Sequence, residues 1–165
     1  MGYASDIAAP RVRSEFARFY ADELVGQVRS ATLIVGSQPL AHDLVHDVFV
    51  TIFERWPDID EPGPLLQRSV VNACRDALRR QRTATQFLRR QHRLDVSTEP
   101  DVPLFDALAK LPFNHRAAVV LRYYAELTEA EIAERLDCRP GSVGPWIRRG
   151  LDRLSNDLDP TTENP

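Results

Sequence analysis

The 165-residue chain has little of what anchors several common protein designs. Its two cysteines, Cys74 and Cys138, are too few to staple a small secreted domain, and they fit a reducing compartment. Their long separation, and their expected placement in different domains, also argue against a disulfide between them. No apolar run approaches the roughly 18–20 residues of a membrane span. Met1 to Arg13 lacks the apolar core of a signal peptide, so the cytoplasm is the expected location. Glycine is scarce, with seven residues, and no stretch alternates apolar and polar residues for long. That pattern disfavours strands and leaves helical periodicity as the main signal. There is no glycine-rich phosphate loop, no nucleophile elbow and no carboxylate pair with a supporting base. Neither enzymatic activity nor a cofactor is expected. Lysine is nearly missing: Lys110 stands alone beside twenty arginines, a bias that a GC-rich genome explains and that has no functional weight alone.

What is present is a real core and a sorted charge. The hydrophobic fraction of 43% supports folded domains rather than wholesale disorder. The net charge of -3 speaks against nucleic acid only until it is divided along the chain. Residues 39–61 carry six acids against Arg55, a net -5. Residues 65–94 carry eight arginines against Asp76, a net +7. Residues 95–106 hold four acids and no base, and residues 138–153 carry four arginines against Asp152. Two basic blocks on separate helices make an electrostatic footprint for phosphate within an acidic chain.

Apolar spacing predicts two groups of helices. Phe16, Tyr20, Leu24 and Val28 define a first amphipathic helix, broken at Gly36-Ser37-Gln38-Pro39. Leu40, Leu44, Val48, Phe49, Ile52, Phe53 and Trp56 form a second stripe, closed by Pro57. Asp58 to Pro64 reads as a loop. Leu66, Val70, Ala73, Cys74, Ala77 and Leu78 form a third stripe, with Arg68, Arg75, Arg79 and Arg82 on its opposite face. Three such helices can bury each other's stripes. The expected fold class is all-α. A helical bundle over residues 10–94 is joined by a flexible linker, 95–103, to a helix-turn-helix domain over 104–158.

In the second unit, Asn114 is placed to cap a helix containing Ala117, Val120 and Leu121. Thr128-Glu129-Ala130-Glu131 has the form of a capping box. Ile132, Ala133 and Leu136 would face inward, and Asp137-Cys138-Arg139 would turn into a last helix with Val143, Ile147, Leu151 and Leu154 buried. A short helix, a tight turn and a second helix is the helix-turn-helix plan. It leaves Ser142, Trp146, Arg148 and Arg149 free to meet DNA, where arginine can grip guanine or phosphate.

These segments carry a family resemblance. Leu108 to Val143, LAKLPFNHRAAVVLRYYAELTEAEIAERLDCRPGSV, resembles region four of bacterial RNA polymerase sigma factors. Ala41 to Trp56, AHDLVHDVFVTIFERW, followed by Leu65 to Arg80, LLQRSVVNACRDALRR, resembles region two. Two regions with an acidic linker between them is the layout of the small extracytoplasmic-function group. The resemblance implies a factor that binds core RNA polymerase and promoter DNA. It implies polymerase docking through the helix bearing Asp43, Asp47, Val48, Phe49 and Glu54. It implies that Asn72, Arg75, Arg79, Arg80 and Arg82 hold the melted minus-ten element, which needs a polar pocket for bases and a cationic track for backbone. It implies that Arg139, Ser142, Trp146, Arg148 and Arg149 read the minus-thirty-five duplex.

The sequence departs from the family where Gly144-Pro145 follows Val143, in place of the usual Lys and Ser. Proline inside a helix deletes a hydrogen bond and costs about 3 kcal/mol or more. The expectation is therefore a recognition helix that starts late, at Ser142, or is kinked. Asp137 stands where glycine is common in the turn, a position it tolerates in the left-handed conformation. His42 and His46 have metal spacing but no third ligand nearby, so no metal is expected. Two other readings remain. One is a sigma-like regulator that binds an anti-sigma factor without initiating transcription. The other is a free-standing repressor, for which the Arg-rich block and the acidic-apolar helix would have no use.

Overall fold

The computed structural model describes residues 10–91 and 103–158, so the expected linker lies outside the described residues except for Pro103. Among the described residues there are seven α-helices, one 3-10 turn and no strand. The architecture is all-α, in two packed helical groups.

Helices α1 (Pro10–Val35), α2 (Gln38–Glu54) and α3 (Pro62–Gln91) form the first group. The α1–α2 corner is built as its sequence demands. Gly36 sits at φ 78°, where a side chain would be strained. Ser37 Oγ then accepts from the Leu40 backbone N–H at 3.4 Å, with Pro39 in the first turn. Ile34, Val45, Phe49, Leu66, Val70 and Cys74 fill the core, each 2% exposed or less. A cluster of rings closes one end. Phe49 lies 4.7 Å from Tyr20 and 6.0 Å from Phe19, and Phe16 lies 5.1 Å from Trp56, centroid to centroid. Two expectations change here. Phe49, 1% exposed, is a core residue and offers no surface to polymerase, because α1 brings three aromatic rings over it. The 58–64 segment is not all loop. A 3-10 turn covers Trp56–Asp58 and α3 begins at Pro62, since prolines 62 and 64 lack only N–H groups that a first turn leaves unpaired.

Helices α4 (Pro103–Lys110), α5 (Phe113–Tyr123), α6 (Glu129–Leu136) and α7 (Pro140–Leu158) form the second group. The capping box is present: Glu131 N–H donates to Thr128 Oγ1 at 3.3 Å and Thr128 N–H donates to Glu131 Oε2 at 2.8 Å. Asp137 ends α6 in the left-handed region, φ 53°. Asn114 caps nothing. Pro112 precedes α5 and Asn114 lies inside its first turn, because Phe113 already has helical backbone.

The recognition helix also departs from expectation. It runs without a break from Pro140, with Pro145 inside it, so the late start at Ser142 is wrong. The i−4 partner that Pro145 lacks is the carbonyl of Gly141, an exposed residue, so water can take the acceptor and the loss is tolerated. Leu151, at 37% exposure, does not face inward; Gly150 occupies the buried position next to it. A side chain there is excluded by the close approach of α5, since a Cβ on Gly150 would lie 2.7 Å from Val119 Cγ2.

The two groups touch one another. α1 packs on α4 and α5, and α3 packs on α6.

Candidate nucleic-acid interface

α3 is the first candidate surface. Its apolar stripe, Leu66, Val70, Cys74 and Ala77, anchors the helix to the bundle. That anchoring fixes which side chains are left outside. Arg79, Arg80 and Arg82 are fully outside the core, and Arg68 also projects, as does Thr83. Asp76, Arg79, Arg80, Thr83 and Ala84 line an open depression of about 710 Å³. Cationic edges around an open trough are what a strand backbone needs. Burial pushes the Cys74 thiol beneath this face up to about 12, so it stays a neutral core residue.

Asn72 and Arg75 sit differently. Both are half-buried, and the Arg75 guanidinium is already engaged. Its Nη1 donates to Asn72 Oδ1 at 3.3 Å, its Nη2 to the Leu136 carbonyl at 3.4 Å, and its plane lies 4.9 Å from the Phe113 ring centroid. Of the five residues assigned to the minus-ten element, Arg75 is therefore turned toward the second domain, and Asn72 is tied to it within α3.

α7 is the second candidate surface. Val143, Ile147, Gly150 and Leu154 seat it on α5 and α6. Arg139, Arg148 and Arg149 are exposed and Ser142 half-exposed, as a groove-reading face requires. Trp146 is half-buried. With Arg75, Arg79, Phe113, His115 and Cys138 it lines a cavity of about 520 Å³. His115 is held below its ordinary range by burial, then by Arg153 and Arg149. Gly144 meets the Glu129 carboxylate so closely that a Cβ would lie 3.1 Å from Oε2. The glycine of the Gly-Pro pair thus fits beside the start of α6.

On α2, Asp43, Asp47 and Glu54 are exposed and Val48 half-exposed. Beside them Val50, 46% exposed, and Phe53, 40% exposed, form the apolar surface that the buried Phe49 cannot supply. Phe53 was visible in the apolar stripe, but periodicity alone did not separate its inner edge from its outer one, and Val50 lies outside that stripe.

Two further residues escaped the sequence reading altogether. Arg116 and Arg135 are buried arginines, 4% and 7% exposed. Arg116 Nη1 donates to the Ile34 carbonyl at 2.6 Å, and its Nη2 to the carbonyls of Ala109 and Leu111 at 2.7 and 3.1 Å. Arg135 Nε donates to Gln67 Oε1 at 3.1 Å, and its Nη1 pairs with Glu134. An arginine next to an apolar stripe carries no mark that it will be buried.

His42 and His46 are both exposed, and no group of three or more His, Cys, Asp or Glu fit for a metal occurs among the described residues. Both cysteines are free thiols. No described helix is long and apolar enough to cross a membrane.

A bundle presenting an arginine-edged helix, followed by a helix-turn-helix, defines a two-domain DNA-binding protein. The comparisons with known proteins give its kind. Residues 17–93 match the family Sigma-70 region 2, and residues 102–154 match Sigma-70, region 4. RNA polymerase sigma factor CarQ of Myxococcus xanthus is 31% identical over 158 residues, covering 88% of this chain and 82% of that protein. RNA polymerase sigma-E factor of Streptomyces coelicolor is 27% identical over 162 residues, covering 87% and 84%. The fold is similar to that of the sigma factor RpoE of Bartonella quintana, crystallised with the anti-sigma factor NepR (TM-score 0.74, 17% identity, 91% of this chain and 99% of that one). It is also similar to CnrH, solved with the cytosolic domain of CnrY (TM-score 0.68, 24% identity, 90% of each chain). The chain belongs to the sigma-70 family of RNA polymerase sigma factors, with the two-region layout of the extracytoplasmic-function group.

Proposed function

We propose that this sigma factor divides promoter recognition between its two domains at named residues. Arg79, Arg80 and Arg82 of α3, joined by Asn72 and Arg75, hold the minus-ten element as a single strand. Arg139, Ser142, Trp146, Arg148 and Arg149 at the start of α7 read the minus-thirty-five duplex. Asp43, Asp47, Val48 and Glu54 of α2, with Val50 and Phe53, dock on core polymerase, where an acidic-apolar face suits a basic partner surface. The domain limits are those of the sequence, 10–94 and 104–158 around a linker over 95–103. The factor works in the cytoplasm and catalyses nothing itself; strand opening draws on binding energy and on polymerase.

The observation that supports this reading best is the arginine-edged trough on α3, on the face opposite its buried stripe. The helical conformation of α7 through Pro145 supports an initiating factor over a regulator unable to initiate. An anti-sigma factor, of the kind crystallised with RpoE, then acts as a brake on an initiating factor.

Reconstituted transcription with core polymerase tests the assignment. Arg79→Ala with Arg80→Ala should impair open-complex formation more than polymerase binding. Equal loss of both steps would contradict it. Asp47→Arg should weaken polymerase association, and an unchanged affinity would remove α2 from the interface.

A further inference from the structure

Val143, Ile147, Gly150 and Leu154 are buried and fix the inner stripe of α7. At about 100° per residue, the line opposite them runs through Gly141, Pro145, Arg148 and Asp152, with Arg149 alongside. All five lie outside the core: Pro145 is half-exposed and the other four are exposed. Pro145 thus stands in the middle of the surface that α7 offers to DNA. Gly141 and Ser142 lie one turn before it, and Arg148 and Arg149 one turn after.

The stereochemistry of this step is unusual for a groove-reading helix. Pro145 has no N–H, so the Gly141 carbonyl loses its i+4 donor inside a continuous helix. Gly141 has no side chain, and nothing lies within 4 Å of a Cβ built there, so a base edge can approach that oxygen. The carbonyl of residue i−4 is the group that a proline ring crowds, which makes the acceptor and the ring neighbours. The ring itself offers only CH2 groups. An acceptor beside an apolar patch is matched in full by an A·T pair in the major groove, where adenine N6 donates and thymine carries its C5 methyl. A G·C pair presents the cytosine N4 amine but no methyl. The flanking arginines have the opposite preference, for guanine or for phosphate.

We infer that Gly141 and Pro145 are specificity-determining residues of the duplex reader and that together they select an A·T pair. The Gly141 carbonyl accepts a hydrogen bond from the adenine 6-amino group, and the Pro145 ring covers the thymine methyl. In the free factor, water holds that carbonyl, and the amine displaces it on binding. This inference rests on the reading of α7 as the minus-thirty-five reader.

The test uses the full-length factor bound to core polymerase, selecting from promoter duplexes randomised across the minus-thirty-five region. The enriched duplex is then remade with deoxyuridine for thymine, which removes only the methyl, or with purine for adenine, which removes only the 6-amino group. Pro145→Ala restores the N–H that ties up the Gly141 carbonyl and keeps a small apolar group. Pro145→Ser restores the N–H and removes the apolar ring. Both keep the helix, because each replaces the residue least suited to a helix interior, and circular dichroism checks it. Wild type should enrich an A·T pair at one position, and loss of the methyl or of the amine should each weaken binding about five-fold. With Pro145→Ala the purine replacement should have no effect, and with Pro145→Ser neither replacement should. Variants that keep the wild-type A·T preference overturn the inference. So does a wild type indifferent to both replacements, or a variant that weakens every duplex by the same factor, which marks a role in helix shape alone. The Arg148→Ala, Arg149→Ala chain separates the two levels. If its affinity and base preferences match wild type, α7 is not the duplex reader and the underlying reading is wrong. If it loses preference at other positions while the Pro145 variants select as wild type does, only the A·T inference fails.

Discussion

Replacing Gly150 by alanine puts a methyl carbon 2.7 Å from Val119 Cγ2 and 3.5 Å from the His115 carbonyl oxygen. Unstrained carbon–carbon contacts lie at about 3.5–4.0 Å, so something must yield by nearly 1 Å. Val119 is buried, at 7% exposure, and its β-branched side chain has few rotamers to escape into. Forcing an extra methyl into such a contact costs about 1–3 kcal/mol. Against this, alanine is favoured over glycine in a helix interior by roughly 1 kcal/mol. The net expectation for Gly150→Ala is a loss of up to about 2 kcal/mol, read as a lower urea midpoint with unchanged slope. Gly26 in α1 is the control. Nothing lies within 4 Å of a Cβ built there, so Gly26→Ala should stabilise by up to ~1 kcal/mol. A double-mutant cycle completes the test. Val119→Ala removes the obstructing methyl, so the pair Val119→Ala, Gly150→Ala should be more stable than the sum of its parts by at least ~1 kcal/mol. Additive losses, or a Gly150→Ala chain as stabilised as Gly26→Ala, would refute the claim that α5 and α7 touch at this glycine.

The remaining expectations concern titration, capping and the buried arginines. The Cys74 thiol is raised from its ordinary value to about 12, so its contribution to stability is full below about pH 9 and lost as pH climbs through 12. Urea midpoints under reductant should fall over that window, and Cys74→Ala should flatten the fall. Iodoacetamide at mild pH should label the half-exposed Cys138 in the folded chain and reach Cys74 only on unfolding; equal labelling would contradict the burial of Cys74. Thr128→Ala should cost ~1 kcal/mol by removing the cap of α6. It should also release the Glu131 carboxyl, which hydrogen bonds from Thr128 hold below its usual range, and an NMR titration that shows no upward movement would count against the capping box. Arg116→Lys keeps the charge but loses the fork that serves three carbonyls, and a loss of ~2 kcal/mol is expected. Wild-type stability would mean those contacts contribute nothing.

Much of this was legible before the fold was known, and the reasons are local. Ser37, Pro39, Thr128, Glu131 and Asp137 each carry their turn or cap chemistry in their own side chains or backbone preference. The apolar spacing in α2 and α3 is long enough to declare helix. The errors came where a neighbour decides. Pro145 looked like a helix breaker because its cost is intrinsic, while the exposed Gly141 carbonyl that absorbs the cost lies a turn away. Leu151 looked buried because leucine usually is, but α5 approaches so closely that only Gly150 fits there. Phe49 looked like a docking residue because the helix around it resembles one that docks, and the rings of α1 that cover it are nearly thirty residues or more away in sequence. The contacts between the two domains were invisible, since Arg116 and Arg135 differ in nothing but position from the arginines that face water.

The Arg116–Ile34 bond has a meaning for α1 itself. Ile34 carries one of the last four carbonyls of a 26-residue helix, the kind that a helix leaves unpaired at its end. Helices usually finish such carbonyls with a neighbouring glycine turn or with water, and the Gly36 N–H does take the Thr32 carbonyl at 2.8 Å. For Ile34 the donor comes from 82 residues further along the chain. α1 therefore borrows part of its C-terminal cap from the other domain. Fraying at the α1–α2 corner, followed by amide exchange around Val35 to Leu40, becomes a local clock for how often the two halves of the molecule part.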